Sequence, residues 1–274
     1  MLIDGLIDRM QAMLGPLQAA DDPRQYFHAT YLRTTVATRD QLQRAGSADR
    51  GSADPGSADP GSADRGFADP GWVERWDVAF AGFYLDALQA AMAGRPPSRP
   101  WQIAFGAPPE LPALRHVLLG MNAHINFDLP QAIIAVITGE EFRDAALLAR
   151  READHAAIDG VLAARVAAEQ AELVAVSGPG PLLDRLLAPL SRLGTQRFLR
   201  ESRRKVWANA VTLNRAREQD RQSYAAVVAE LEELSAAKVT ALMAPGQVLL
   251  RLAVTGFGVR LPAGPDVTIG YAPP

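Results

Sequence analysis

The sequence predicts an all-α protein: a single-domain multi-helix bundle with one low-complexity insertion and an irregular C-terminal tail. Three observations carry this reading. Apolar residues recur at three-or-four spacing over most of the 274 residues, the period of helices that bury one face. No strand-like runs alternate with helical ones, which argues against a doubly wound sheet. Stop signals such as Gly94 followed by Pro96 and Pro97 punctuate the pattern.

The elements follow in order. Leu2, Ile3, Leu6, Ile7, Met10, Met13 and Leu14 make the stripe of a first amphipathic helix, and Asp4 and Asp8 stand where a signal peptide would be basic. Residues 26–45 suit a second helix, with Asp21 or Asp22 as cap and Pro23 in its first turn. Residues 46–70 read as five units of five, GSADR GSADP GSADP GSADR GFADP, with Phe67 their single large apolar side chain. Such a run buries too little to offset its ordering entropy, so a disordered Gly-Ser-Ala-Asp loop is expected. Its recurring aspartates suggest calcium, but the repeat lacks the apolar position that lets calcium-binding rolls stack.

Residues 72–93 form the next helix, with Val73, Trp76, Phe80, Phe83, Tyr84 and Ala87 as its stripe. Residues 111–127 follow, and 129–138 continue after a break, because Pro130 disfavours the α conformation at Leu129. Residues 142–176 read as one long Ala/Leu-rich helix and 178–181 as a Gly/Pro connector. Residues 182–193 and 196–244 complete the bundle. From residue 245 the helical period is lost, leaving an extended tail or one or two short strands. The domain is thus discontinuous, 1–45 with 71–244.

Composition narrows the function. Hydrophobic residues at 48% and charged residues at 22% allow a sizeable core. Lys and Arg total 28 against 31 Asp and Glu, so no basic excess exists to neutralise phosphates and no nucleic-acid partner is expected. The Glu201-Ser202-Arg203-Arg204-Lys205-Val206-Trp207 cluster reads as a solvated helix face. With no cysteine there is no disulfide, thiolate zinc site, iron–sulfur cluster or cysteine nucleophile. No stretch reaches the roughly 18 apolar residues of a membrane span, and a cytoplasmic location is the expectation.

Chemistry concentrates in Gly120-Met121-Asn122-Ala123-His124-Ile125-Asn126-Phe127-Asp128-Leu129-Pro130. On a helix His124 and Asp128 share a face, as do Asn122 and Asn126. Polar residues this frequent in an apolar helix are exposed, paired or functional, since burying one unpaired costs about 2–7 kcal/mol. A histidine with an aspartate one turn on presents two donors to a metal, or lets the carboxylate orient the imidazole. Asp77 and Tyr84 fall on one apolar face seven residues apart, so Asp77 is expected to be buried and paired. Asp154 shares the stripe of Ile158, whereas His155 and Asp159 form a more outward pair. His28, in an aromatic helix start, reads as a satisfied core histidine. His116 lies about 80° around the helix from His124, an offset that allows it to flank the site without requiring it.

Trp72-Val73-Glu74-Arg75-Trp76-Asp77-Val78-Ala79-Phe80-Ala81, the segment from Leu119 to Pro130, and Asp154 with Ile158 resemble the bacterial family of unknown function DUF5995. The resemblance covers roughly residues 1–235. It implies an all-helical fold and draws attention to Asp77, His124 and Asp128, without supplying a reaction. The repeat and the tail look private to this chain. The His-x3-Asp pair is also similar to one in helical zinc phospholipases C and related nucleases. Those enzymes use several more histidines and an N-terminal Trp amine, where this chain has four histidines and begins Met-Leu.

The leading expectation is metal-assisted hydrolysis in a polar pocket. His124 and Asp128 would be catalytic and would bind a divalent metal, zinc or manganese, with Asp77 or Asp154 completing the shell. Asn122, Asn126 and Tyr84 would position a small-molecule substrate. The alternatives are a metal-free enzyme with His124 as general base and a non-catalytic helical module that holds an apolar metabolite or a partner helix. No Walker loop, nucleophile elbow or His-Glu-x-x-His is present.

Overall fold

The computed structural model describes residues 1–51, 67–158, 182–244, 256 and 258–262, the side chains of 45–51 and 182–200 excepted. Among them the secondary structure is helical, without a strand. In chain order the helices are α1 (Leu2–Ala19), α2 (Arg24–Gly51), α3 (Pro70–Met92), α4 (Arg99–Phe105), α5 (Ala113–Ala123), a π turn (His124–Asp128), α6 (Leu129–Val136), α7 (Gly139–Arg143), α8 (145–158), α9 (Leu182–Gln219) and α10 (Arg221–Met243). No helix among the described residues is long and apolar enough to cross a membrane.

The middle of the bundle is the α5–π turn–α6 unit. Helix α2 packs on α5, α3 and α9 flank α6, and α10 lies against α4, α5 and the π turn. The largest side chains inside are Trp72, Trp76, Tyr84 and Trp101, all at most 2% exposed. Aromatics of this size bury about 150–250 Å² each and dominate core energetics. They come from α3 and α4, so these two helices set the walls of the interior.

Local chemistry explains most boundaries. Asp69 accepts from Trp72 N at 2.9 Å and Pro70 opens α3, the expected cap and first-turn pair. Thr138 and Glu141 form a capping box on α7. Asp220 caps α10 through Ser223 N at 2.7 Å, which ends α9 and splits the expected 196–244 helix in two. Arg217 of α9 donates to Ile134 O at 2.5 Å and Ile137 O at 3.0 Å, satisfying carbonyls that the end of α6 leaves open.

Several expectations are corrected. Helix α2 runs through Gly51, past the expected boundary at residue 45. At the far end of the repeat, Phe67 is buried and Asp69 caps α3. The expected 142–176 helix is interrupted at Asp144, and 182–193 continues unbroken through residue 219. The expected break before Pro130 is a wide turn in a continuous helical path, with Leu129 N donating to His124 O five residues back. Pro130 has no N–H for the fourth carbonyl before it, and a π turn accommodates that loss without ending the helix. The readings on residues 52–66, 159–181, 245–255, 257 and 263–274, including Asp159, lie outside the described residues.

The described part of the tail is docked. Asn209 of α9 donates from Nδ2 to Val259 O at 3.1 Å and accepts from Leu261 N at 2.9 Å. Val259 N in turn donates to Asn126 Oδ1 in the π turn at 3.1 Å. Leu261 is buried beneath this strap.

Candidate functional site: a buried Asp–His dyad

The π turn places His124 and Asp128 side by side. His124 Nδ1 lies 2.8 Å from Asp128 Oδ2, with the side chains 3% and 2% exposed. Trp101 Nε1 donates to the same oxygen at 2.8 Å. With Asp128 ionised its Oδ2 accepts from both, which puts the imidazole proton on Nδ1 and leaves Nε2 with its lone pair. Burial holds His124 below the usual histidine range, so it is neutral at pH 7. Burial also pushes Asp128 up, opposed by the hydrogen bonds from His124 and Trp101.

Five aromatic side chains enclose the imidazole. Phe80 stacks on it at 3.6 Å between centroids and 3° between planes. Tyr31 meets it edge-on at 4.7 Å, and Tyr84, Trp101 and Phe27 stand at 5.9, 5.9 and 6.0 Å. Helices α2, α3 and α4 supply these rings.

His28 serves as an internal control. Its Nε2 donates to Met10 O at 2.8 Å, and its Nδ1 accepts from the Tyr84 hydroxyl at 2.9 Å. Both nitrogens are satisfied, as expected of a structural histidine. His124 differs: its Nε2 is buried and has no hydrogen-bond partner among the described residues.

The other expected site residues divide. Asp77 is buried, but its Oδ2 has no partner, and burial pushes its carboxyl up to about 7. Its expected burial is found, but the expected partner for Oδ2 is not seen among the described residues. Tyr84 is at the site but gives its hydroxyl to His28. Asn122 donates to Leu118 O at 2.8 Å, and Asn126 donates to Asn122 Oδ1 at 3.4 Å while its own Oδ1 holds the strap. Both asparagines thus bond to the scaffold. Asp154 accepts from Ala68 N at 2.6 Å and Asp69 N at 3.0 Å, fixing the entry to α3. Among the described residues no three of His, Asp and Glu are grouped to hold a metal ion.

Two further expectations change. His155 is buried between Trp76 and Trp207, at 5.2 and 5.6 Å, its carbonyl bonded to Arg203. Burial and the Arg203 charge hold it well below the usual histidine range. Ser202, Arg203, Val206 and Trp207 turn inward while Glu201 and Arg204 stay exposed, so only part of their cluster is a solvated face.

Sequence alone does not mark Trp101, Phe80 and Tyr31 as site residues; Phe80 stands there only as part of an apolar stripe. The signals for Trp101 and Tyr31 were faint: a tryptophan opening a helix after a proline-rich turn, its N–H in need of an acceptor, and the four-residue spacing of Phe27 and Tyr31 beside His28.

A cavity of about 10 Å³, the room of one water, is lined by Arg24, Phe27, Trp101, His116 and Gly120 among others. A surface groove of about 220 Å³ runs between α2 and α5 along Tyr26, Ala29, Arg33 and Val117. Neither is lined by His124.

Comparison with known proteins adds one relation. A family described as "Family of unknown function (DUF5995)" matches residues 57–245, which span α3 to α10 and the whole dyad. The match leaves out α1, α2 and the strap. No curated protein and no solved structure matches the chain.

Proposed function

The chain belongs to this family of unknown function, DUF5995, and we propose that His124 and Asp128 are its catalytic dyad, a general base for hydrolysis of a small uncharged substrate. The observation that carries this reading is the contrast between two buried histidines. His28 spends both nitrogens on the scaffold, while His124 has one nitrogen oriented by a carboxylate and the other unbonded. A neutral imidazole with a fixed tautomer and an available lone pair is what general-base catalysis requires. The aromatic enclosure favours a neutral substrate, because charge is costly in such surroundings. A π turn at the centre of the bundle supports the reading, since such turns recur at functional sites.

The dyad is proposed to work without a metal. Asp128 Oδ2 is committed to His124 and Trp101, and Asp154 to the backbone of Ala68 and Asp69. A zinc or manganese ion would have only His124 Nε2 and Asp77 Oδ2 among the buried atoms left without partners in the expected donor set.

A panel of small neutral esters and amides, assayed with untagged protein before and after chelation, tests the reading. Turnover should survive chelation. It should fall by roughly 10²-fold or more in His124→Gln and Asp128→Asn, the latter by releasing the wrong tautomer. Turnover indifferent to His124→Gln, or none with any substrate, would count against the dyad. The second reading, an apolar-ligand module, draws on the same aromatic walls; saturable binding of an apolar probe without turnover would favour it.

A further inference from the structure

Three buried polar atoms near the dyad have no hydrogen-bond partner among the described residues: His124 Nε2, Tyr31 Oη and Asp77 Oδ2. Their residues are 3%, 7% and 6% exposed. Groups left unsatisfied in this way are costly enough to require an explanation. Tyr31 and His124 are in direct ring contact, and Asp77 is linked to them through α3. The Tyr31 ring meets His124 at 4.7 Å and Phe80 at 6.1 Å, edge-on to both. Phe80 stacks on His124, and Asp77 lies three residues before Phe80 on the same helix. Burial above all, and then the nearby Asp77 and Asp128 carboxyls, hold the Tyr31 phenol well above its usual range.

Their bonding capacity is specific. Nε2, with the proton held on Nδ1, offers one lone pair. The Tyr31 hydroxyl offers one hydrogen. Asp77, its carboxyl pushed up to about 7 by burial, offers another in its protonated form. Tyr84 does not enter the count, because its hydroxyl is given to His28. The set is one acceptor and two donors. A hydroxyl group is its complement, with one hydrogen to give and two lone pairs to fill. A carboxylate or a fully ionised phosphate has no hydrogen for Nε2, and an ammonium has no lone pair for Tyr31 or Asp77.

We propose that His124 Nε2, Tyr31 Oη and Asp77 Oδ2 form a binding site for a neutral hydroxyl group, that of water or of a small alcohol. The hydroxyl donates to Nε2 and accepts from the other two. Its role rests on the reading of His124 as general base: the bound oxygen is then the nucleophile. Its O–H proton passes to Nε2 as an oxygen electron pair forms the bond to the acyl carbon. The leaving group departs with the electrons of the broken bond and takes that proton back. Tyr31 and Asp77 act as positioning residues.

The test is a set of crystal structures of the full chain, with and without an ethanol soak, together with the ¹⁵N resonance of His124 Nε2. An ordered oxygen within hydrogen-bond distance of all three atoms is expected. Carbon density attached after the soak extends the ligand to alcohols; its absence narrows the ligand to water. Tyr31→Phe and Asp77→Leu should each weaken or lose the oxygen and move the Nε2 resonance, and Asp77→Asn, which keeps a donor, should restore it. Tyr31→Phe should also lower ester turnover by about tenfold, the worth of one hydrogen bond of roughly 1.4 kcal/mol. No ordered oxygen in the wild type, or an unchanged oxygen in the Tyr31→Phe/Asp77→Leu double variant, overturns the site. An oxygen present without turnover removes the catalytic reading alone; His124-dependent turnover without the oxygen removes this site alone.

Discussion

The ring of Phe80 lies parallel to the imidazole of His124, 3.6 Å away and tilted by 3°. The contact joins α3 to the π turn and seals one face of the dyad. Phe80→Ala should cost about 3–5 kcal/mol in urea denaturation, the usual loss for a large aromatic in a core. It should also readmit solvent to His124, whose titration, followed by NMR, should move up toward the ordinary histidine value.

Trp101 holds the second hydrogen bond to Asp128 Oδ2. Trp101→Phe keeps an aromatic ring and removes the N–H. Asp128 then has one donor fewer in a site it cannot leave. A loss of roughly 1–3 kcal/mol is expected from melts at neutral pH, together with a further rise of the Asp128 carboxyl.

Asp77 gives stability a distinctive pH dependence. Its carboxyl titrates at about 7 in the fold against 3.8 for the free group. Across that window the folded protein keeps a proton that the unfolded chain releases, so stability falls as pH rises. The full effect is about 4 kcal/mol at 1.36 per unit. Asp77→Asn is neutral in both states. It should match the wild type near pH 4 and exceed it by about 2–4 kcal/mol at pH 8. His28, His124 and His155, held low by burial, act in the opposite sense and lose stability as pH falls below 6.5. Being common to both proteins, they cancel in the difference. A variant less stable than wild type at pH 8 would refute the raised carboxyl.

Gly120 is a close-approach position on α5. A Cβ there would stand 2.5 Å from Phe27 Cγ. Phe27 is itself wedged against Tyr84, Trp101 and His124. Gly120→Ala gains about 1 kcal/mol of helix propensity, yet the clash should dominate and leave a net loss of about 1–3 kcal/mol by denaturant unfolding.

The helices were legible because their signals are local: the stripe in α3, the stop at Gly94, and the pairing of His124 with Asp128 at four-residue spacing. The partners of those residues were not. Asp154 and Asp77 look alike in sequence, apolar-face aspartates both, yet one meets the backbone at Ala68 and Asp69 and the other has an oxygen without a partner. That difference depends on how α8 and α3 meet, across more than 70 residues of chain. The same holds for Trp101, whose acceptor lies 27 residues away. His155 was read as outward from its spacing to Asp159; the packing of α9, through Trp207 and Arg203, turned that face inward. Pro130 signals a disturbance in the helix, but whether it ends the helix or widens one turn is decided by the packing around it.

The strap carries a consequence for how the protein is made. On the ribosome, His124 and Asp128 emerge well before Val259 and Leu261, and the helices between them can pack as synthesis proceeds. The clamp on Asn126 crosses 133 residues of chain, so it is among the last contacts to close. A nascent chain that has reached Met243 already holds every helix of the described fold but not the contact that ties down its central turn. The final adjustment of that turn therefore waits until Val259 has been made, and a fusion partner joined directly after residue 243 would take the place of the segment that makes it.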